Sequence, residues 1–426
     1  MELIRLMRGK FRKGFFTRLL LSLMVISCLF VRFDSLYLTP IGNLVVEYRF
    51  DVSGWELRNI FDKWWHKYRL TGDSSSLSRY DRLKQVESYL ALNFEEMKLI
   101  SEAKATLQSD PLINEKHISD KRLDDIRQQQ SSIRHVVEDV LEAEVGAVLL
   151  EQELPLRVPL LKISFPPVDF RLDVMPHILI TSARDEINMK ESILLKSRIS
   201  RSEKETIENE ILETQNLSAL VENLGGLATY PALISNSHDL RFILNTVAHE
   251  WLHQFFFFHP LGQNFSKSPD MASLNETAAN LVGSEIGGLV MERVLMAMPS
   301  LDNHQINRLE EVYGDKRFNF SEEMRETRLE VEKLLKNGEI YRAEQYMEER
   351  RLFMADNGFY IRKLNQAYFA FHGRYGDGPS SVSDIADELR EMRRLLPSLK
   401  SFVEAISGVG SYKEFKDLRH NLLVQH

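Results

Sequence analysis

The sequence predicts a mainly α-helical protein with a small β-sheet, in which one mixed α/β unit is embedded between helical regions. Residues 54 to 150 and 320 to 371 carry apolar residues at helical spacing and few Gly or Pro. From Leu156 the texture changes to short β-type runs broken by Pro166-Pro167 and Pro176. Further on, His249-Glu250-Trp251-Leu252-His253 lies in an uncharged stretch and puts two imidazoles one helical turn apart. A chain of 426 residues, 43% hydrophobic and 27% charged, can bury a large core and has room for more than one domain.

Residues 1 to 35 read as a cytoplasmic basic leader followed by a membrane anchor or signal. Arg5, Arg8, Lys10, Arg12, Lys13 and Arg18 face only Glu2, and Leu19 to Val31 is then uncharged and apolar up to Arg32. A run this short fits a signal-peptide core or a short transmembrane helix whose flanking arginines snorkel. The basic side stays cytoplasmic, so an uncleaved single anchor with the rest of the chain outside the cytoplasm is expected. Cys28 is the only cysteine. It ends Val25-Ile26-Ser27-Cys28, which resembles a bacterial lipoprotein cleavage box, so a lipoprotein is the alternative. A single cysteine excludes an internal disulfide.

Residues 36 to 150 read as a helical domain. Trp55, Ile60, Trp64, Trp65 and Tyr68 share one segment at helical spacing, and Tyr80 to Leu107 and Leu123 to Leu150 continue the pattern. The aromatic cluster reads as core, with membrane-surface contact as its other use. Net charge is −8 and no basic patch remains outside the leader, which argues against nucleic acid as a partner.

Residues 151 to 300 hold the chemistry. Val158 to Phe165, Phe170-Arg171-Leu172 and His177 to Thr181 predict a small sheet whose rim strand is Leu220 to Tyr230. Ser202 to Glu213 is a charged surface helix between them. Thr246-Val247-Ala248 and Gln254-Phe255-Phe256 flank the two histidines without charge, as expected of a helix at the floor of a cleft. Trp251 and Leu252 would pack it to the body. On such a helix His249 and His253 can grip one zinc ion, and Glu250 can reach a water that the metal activates, acting as general base. Two His and a Glu on a buried helix would be costly without a metal.

Two residues compete for the third ligand position. His259 stands six residues after His253, a spacing used where an intervening Gly lets the chain turn back. Here that position is Phe256, which resists the positive φ required. Phe255 to Phe258 reads instead as the helix continuing until His259-Pro260 stops it. Glu276 follows a polar loop, Ser266 to Ser273, and opens a second apolar helix from which an inward carboxylate can reach the metal. Asn280, one turn on, is placed to hold a ligating imidazole from outside. Glu276 is the preferred ligand and His259 the alternative.

Residues 301 to 426 read as a C-terminal helical domain. Glu322 to Arg351 carries mixed-sign charges at helical spacing, a solvated face. Asn365 to Gly376 is aromatic, free of acidic charge, and ends in the turn Gly376-Asp377-Gly378-Pro379. Ile385 to Leu396 and Tyr412 to Val424 close the chain with helices.

Three pieces within positions 220 to 280 resemble a known family. Leu220-Val221-Glu222-Asn223-Leu224-Gly225-Gly226-Leu227-Ala228-Thr229-Tyr230 is similar to the rim strand of zinc aminopeptidases related to aminopeptidase N. His249-Glu250…His253-Gln254-Phe255-Phe256 is similar to their zinc helix, and Leu274-Asn275-Glu276…Ala279 to the segment bearing their third ligand. This chain departs from them by one extra residue after Asn223 and by a longer gap between His253 and Glu276. The resemblance implies a gluzincin: a zincin-like α/β catalytic unit with one zinc on His249, His253 and Glu276. It further implies that Glu222 binds the free α-amine of a peptide, while Gly225 and Gly226 let substrate backbone approach. Zincins also use a Tyr or His to stabilise the oxyanion. Tyr368, His372 and Tyr375 are the best placed by composition, Tyr368 and His372 being one helical turn apart. The expected function is a membrane-anchored zinc peptidase acting on peptide or protein substrates, with aminopeptidase action as one form. The alternative from another class is a non-catalytic, membrane-associated scaffold, for which an intact Glu250 has no use.

Overall fold

The computed structural model describes residues 39–70, 78–109, 120–154, 156–158, 163–299, 301 and 318–425. In chain order these form helices α1 (Pro40–Leu44), α2 (Val52–Leu70), α3 (Arg79–Ser109) and α4 (Asp120–Glu151), then strands β1 (Leu156–Val158), β2 (Ile163–Phe165), β3 (Phe170–Asp173), β4 (His177–Ser182) and β5 (Met189–Leu195). Helix α5 (Arg201–Gln215) leads to β6 (Ser218–Asn223), β7 (Gly226–Leu227) and β8 (Ala232–Ser235). The remainder is helical: α6 (Leu240–Phe256), α7 (Pro260–Gln263), α8 (Pro269–Ala297), α9 (Phe320–Lys336), α10 (Ile340–Asp356), α11 (Gln366–His372), α12 (Ile385–Leu395), α13 (Leu399–Ser407) and α14 (Tyr412–Gln425). The protein is mainly helical with small sheets.

The sheets differ from the expected one. β1 pairs with β2, a second sheet runs β5-β4-β6, and a third runs β3-β8-β7. β4 is antiparallel to both its neighbours, whereas β8 is parallel to β3 and antiparallel to β7. The predicted rim strand Leu220 to Tyr230 therefore divides between two sheets. Ser218 to Val221 are buried while Glu222 and Asn223 emerge towards solvent, which ends β6. The chain then bends, and Ser235 N donates to Gly225 O at 2.9 Å to start the next pairing.

The expectation of a transmembrane helix is corrected: among the described residues no helix is long and apolar enough to cross a membrane. The leader, the apolar run Leu19 to Val31 and Cys28, on which that expectation and its alternative fell, lie outside the described residues.

One apolar core links the helices before the sheets to those after them. It runs from Leu83 and Tyr89 on α3 and Leu141 on α4, through Trp251 and Phe256 on α6 and Val282 and Ile286 on α8, to Leu389, Phe402 and Phe415. The α9–α10 hairpin has a smaller core of its own around Val331, Met347 and Phe369.

Charge as well as apolar area ties α2 to the body. Lys63 is only 2% exposed and pairs with Glu142, with Asp169 (2.8 Å) and with Glu138 (3.8 Å). Burial alone would lower its pKa, but the three carboxylates together raise it, so it stays charged. Glu142 also accepts from Phe170 N (3.0 Å) and Glu138 from Leu172 N (2.9 Å), so α4 holds the backbone of β3 through the same carboxylates. Glu56, two turns earlier on α2, accepts from Tyr230 N at 3.1 Å, while its second oxygen is buried without a partner.

Two stability predictions follow from this network. Lys63→Met strands three buried carboxylates and should cost about 3–5 kcal/mol in chemical denaturation; a loss under 1 kcal/mol would mean that the cluster is solvated. Burial, only partly offset by Tyr230 N–H, pushes Glu56 from 4.5 up to about 7. Its protonated form therefore contributes stability that is complete below pH 4.5 and is lost as pH rises through about 7. Glu56→Gln should flatten that decline, gaining on the order of 3 kcal/mol relative to wild type between pH 5 and 8. Parallel stability curves for the two proteins would contradict it.

Candidate metal centre

Helix α6 starts where Asp239 accepts from Arg241 N (2.8 Å) and Phe242 N (3.2 Å), satisfying two of the free amides of the first turn. Most of its surface is buried, and Thr246, His249 and His253 follow at helical spacing along the half-buried stripe, with Glu250 buried beside them. Trp251 and Leu252 are buried as expected, and Trp251 Nε1 donates to Pro166 O at 2.9 Å. Gln254 Nε2 donates to Thr229 O at 2.7 Å, which fixes the segment after β7 to the helix. Helix α8 starts with Ser268 accepting from Met271 N and with Pro269 in its first turn.

α6 and α8 meet almost backbone to backbone. A Cβ on Gly283 would lie 3.1 Å from both Asn245 O and His249 N, and one on Gly287 would lie 2.0 Å from Asn245 Oδ1. Side chains at these positions would push α8 away from the turn that carries His249.

The approach brings Glu276 to both histidines. His249 Nε2 and His253 Nε2 are 2.9 Å apart, and Glu276 Oε2 lies 3.5 Å from the first and 3.3 Å from the second. Glu276 Oε2 is buried and has no hydrogen-bond partner. The side chains are 12–16% exposed, enough to open on a cleft. Burial opposes charge on His253, but Glu276 foremost, helped by Glu250 and Asn275, raises its pKa to about 9. The charge of His253 in turn outweighs burial and holds Glu276 well below the usual carboxylate range.

Glu250 stands beside them with its carboxylate buried, and burial raises its pKa against the opposing pull of His249 and His253. Its other wall is β7. A Cβ on Gly226 would fall 2.2 Å from Glu250 Oε1 and 2.7 Å from Thr246 Cγ2. Gly226 therefore makes room for the carboxylate itself. Gly225 is less constrained, since a Cβ there would meet only the Phe242 ring at 3.3 Å.

The three residues singled out in the aromatic stretch after α10 divide between the end of β6 and the centre. Tyr368 packs on His372 (ring centroids 4.2 Å apart), and His372 Nε2 lies 3.8 Å from Glu222 Oε2. Both stand at the end of β6. Tyr375 is the residue that feels the centre: the charge of Glu276 first, then burial and Glu250, push its phenol well above its ordinary pKa. Its loop is fastened to α8, where Gly376 N donates to Thr277 Oγ1 (2.8 Å) and Asn280 Nδ2 donates to Asp377 Oδ1 (3.0 Å). The role expected of Asn280 is corrected accordingly: it faces this loop, and the side chain beside His253 is that of Asn275. His259 is not brought to the group. Its ring stacks on Phe255 (4.3 Å) and its Nδ1 lies 2.8 Å from Phe255 O, on the core side of the helix end.

Asn275, Thr277 and Asp377 were not singled out by the sequence. Asn275 and Thr277 flank Glu276, the only signal available. Asp377 is 97 residues from its partner, and no spacing links them. No protein-family model matches the chain, and neither a curated protein nor a solved structure matches it.

Gly226→Ala should lower stability by about 1–3 kcal/mol, because the added methyl must displace Glu250 or β7. A variant as stable as wild type would show that β7 does not press on Glu250.

Proposed function

We propose that this chain is a zinc-dependent peptidase of the gluzincin type, built on a zincin-like α/β unit of α6, α8 and the β3-β8-β7 sheet. The observation that carries the reading is the convergence of two imidazole nitrogens and one carboxylate oxygen beside a second, buried carboxylate. Ligands about 2.0–2.1 Å from a tetrahedral zinc stand about 3.3 Å from one another, close to the spacing of these three atoms. The orphaned Oε2 of Glu276 and the mixed nitrogen and oxygen donor set suit the same ion. His249, His253 and Glu276 would hold it, and when bound it supplies Lewis-acid polarisation of a carbonyl and acidification of water.

The remaining chemistry belongs to the chain. Glu250 takes the proton of the attacking water and passes it to the leaving amine; its burial favours a carboxylate that both accepts and releases protons. Tyr375 keeps its phenol protonated and donates a hydrogen bond to the oxyanion as the carbonyl carbon becomes tetrahedral. Among the described residues β7 is paired on one side only, by β8, so its other edge offers backbone groups to an extended peptide.

The purified full-length protein should bind one zinc per chain. His249→Ala and His253→Ala should abolish binding and Glu276→Ala should weaken it strongly, whereas His259→Ala should leave it intact; metal analysis by mass spectrometry reads all four. Glu250→Gln should keep its zinc yet lose about 10²- to 10⁴-fold in kcat/KM on peptides. Zinc-loaded wild type that cleaves nothing in a broad peptide library would favour a non-catalytic scaffold.

A further inference from the structure

The end of β6 carries more cations than its carboxylates occupy. Lys204, on the first turn of α5, holds its Nζ 3.5 Å from His177 Nδ1 and 3.4 Å from Asn223 Oδ1, both on neutral partners. The two carboxylates that act on it are engaged elsewhere. Glu208 pairs with Arg362 and with Lys363 (3.1 Å) and accepts from Val221 N (2.7 Å). Glu222 faces His372 and accepts from Asn223 N at 2.9 Å. Among the described residues no carboxylate pairs with Lys204. It is half-buried and also feels Arg362, so its charge is poorly relieved by solvent.

An incoming ammonium would meet Lys204, Arg362 and His372 around a Glu222 that is already partnered. An incoming carboxylate would meet Lys204, for which it supplies the missing anion. Gly226, which lies against Glu250, stands three positions after Asn223. Across the bend between the strands this is at most about 10 Å, which an extended peptide covers with three residues or fewer. We propose that Lys204, with His177 and Asn223, forms a subsite that accepts an acidic side chain of an extended peptide about three residues from the bond cut. This rests on the peptidase reading and names its substrate class: acidic stretches inside chains, in preference to free N-termini.

The test uses zinc-loaded full-length protein and peptides acetylated and amidated at their ends, with Glu, Gln or Lys placed at each position in turn. One position should favour Glu over Gln by about tenfold in kcat/KM, chiefly through KM. Lys204→Met should bring that ratio to about one, while Lys190→Met, an equal charge change away from the cluster, should leave the ratio as it was. A second arm with free C-termini separates an internal acidic side chain from a terminal carboxylate as the group bound. Preference for free-amine peptides that is lost in Glu222→Ala and indifferent to Lys204→Met would overturn the proposal. If no peptide is cleaved, the peptidase reading fails, and fluorescence anisotropy of the same peptides on Glu250→Gln decides the subsite alone. Tighter binding of the Glu peptide that depends on Lys204 upholds the subsite, and equal binding of Glu and Gln peptides rejects it.

Discussion

The close contact of α6 with α8 is the constraint on which the rest of the candidate site depends. Helices packed through ordinary side chains run about 8–10 Å apart. With Gly283 and Gly287 at the contact, the backbone of α8 comes against Asn245 and His249, and the carboxylate of Glu276 two turns before Gly283 can span to both imidazoles. Each added methyl there would lie within contact distance of main-chain atoms, which cannot swing aside as a flexible side chain can. The site geometry is therefore set by the absence of side chains two and three turns from the chemistry.

A second layer of constraint is electrostatic. α2 buries Lys63 and Glu56: Lys63 pairs with Glu138 and Glu142 of α4 and with Asp169 just before β3, and Glu56 accepts from Tyr230 N. That segment is fastened to α6 by Gln254. Strand β7 is so held between β8, whose other neighbour β3 the ion cluster holds, and the histidine helix. Buried charges of this kind add little net stability over apolar packing but are costly to break singly, which favours one register of β7 against Glu250 over its alternatives.

The loop carrying Tyr375 extends the same logic to the far wall. α11 is placed by Asn365, which caps it through Tyr368 N and donates to Ala219 O of β6. The chain then turns at Gly376, whose amide is held by Thr277 one residue past Glu276. One helix thus supplies both a converging carboxylate and the anchor of the opposite wall, so the two cannot drift apart independently. The buried carboxylate of Glu250 lies against Gly226 on one side of the bend between β6 and β7, and Lys204 lies beside Asn223 on the other.

By itself the sequence determined the helical majority, the position and chemistry of the histidine helix, the burial of Trp251 and Leu252, and Glu276 as the carboxylate that joins His249 and His253. These are local matters: a 3.6-residue period, uncharged flanks, and a carboxylate opening the next apolar helix state them without reference to the rest of the chain. The tertiary structure alone decided which aromatic residue faces the centre, because Tyr368, His372 and Tyr375 lie within eight residues and only the anchoring of Gly376 and Asp377 to α8 selects among them. It also decided that Leu220 to Tyr230 serves two sheets, that Asn280 holds a loop, and that Gly226 accommodates a carboxylate. Each of these rests on contacts between residues far apart in the chain, and periodicity within a segment carries no information about what packs against it.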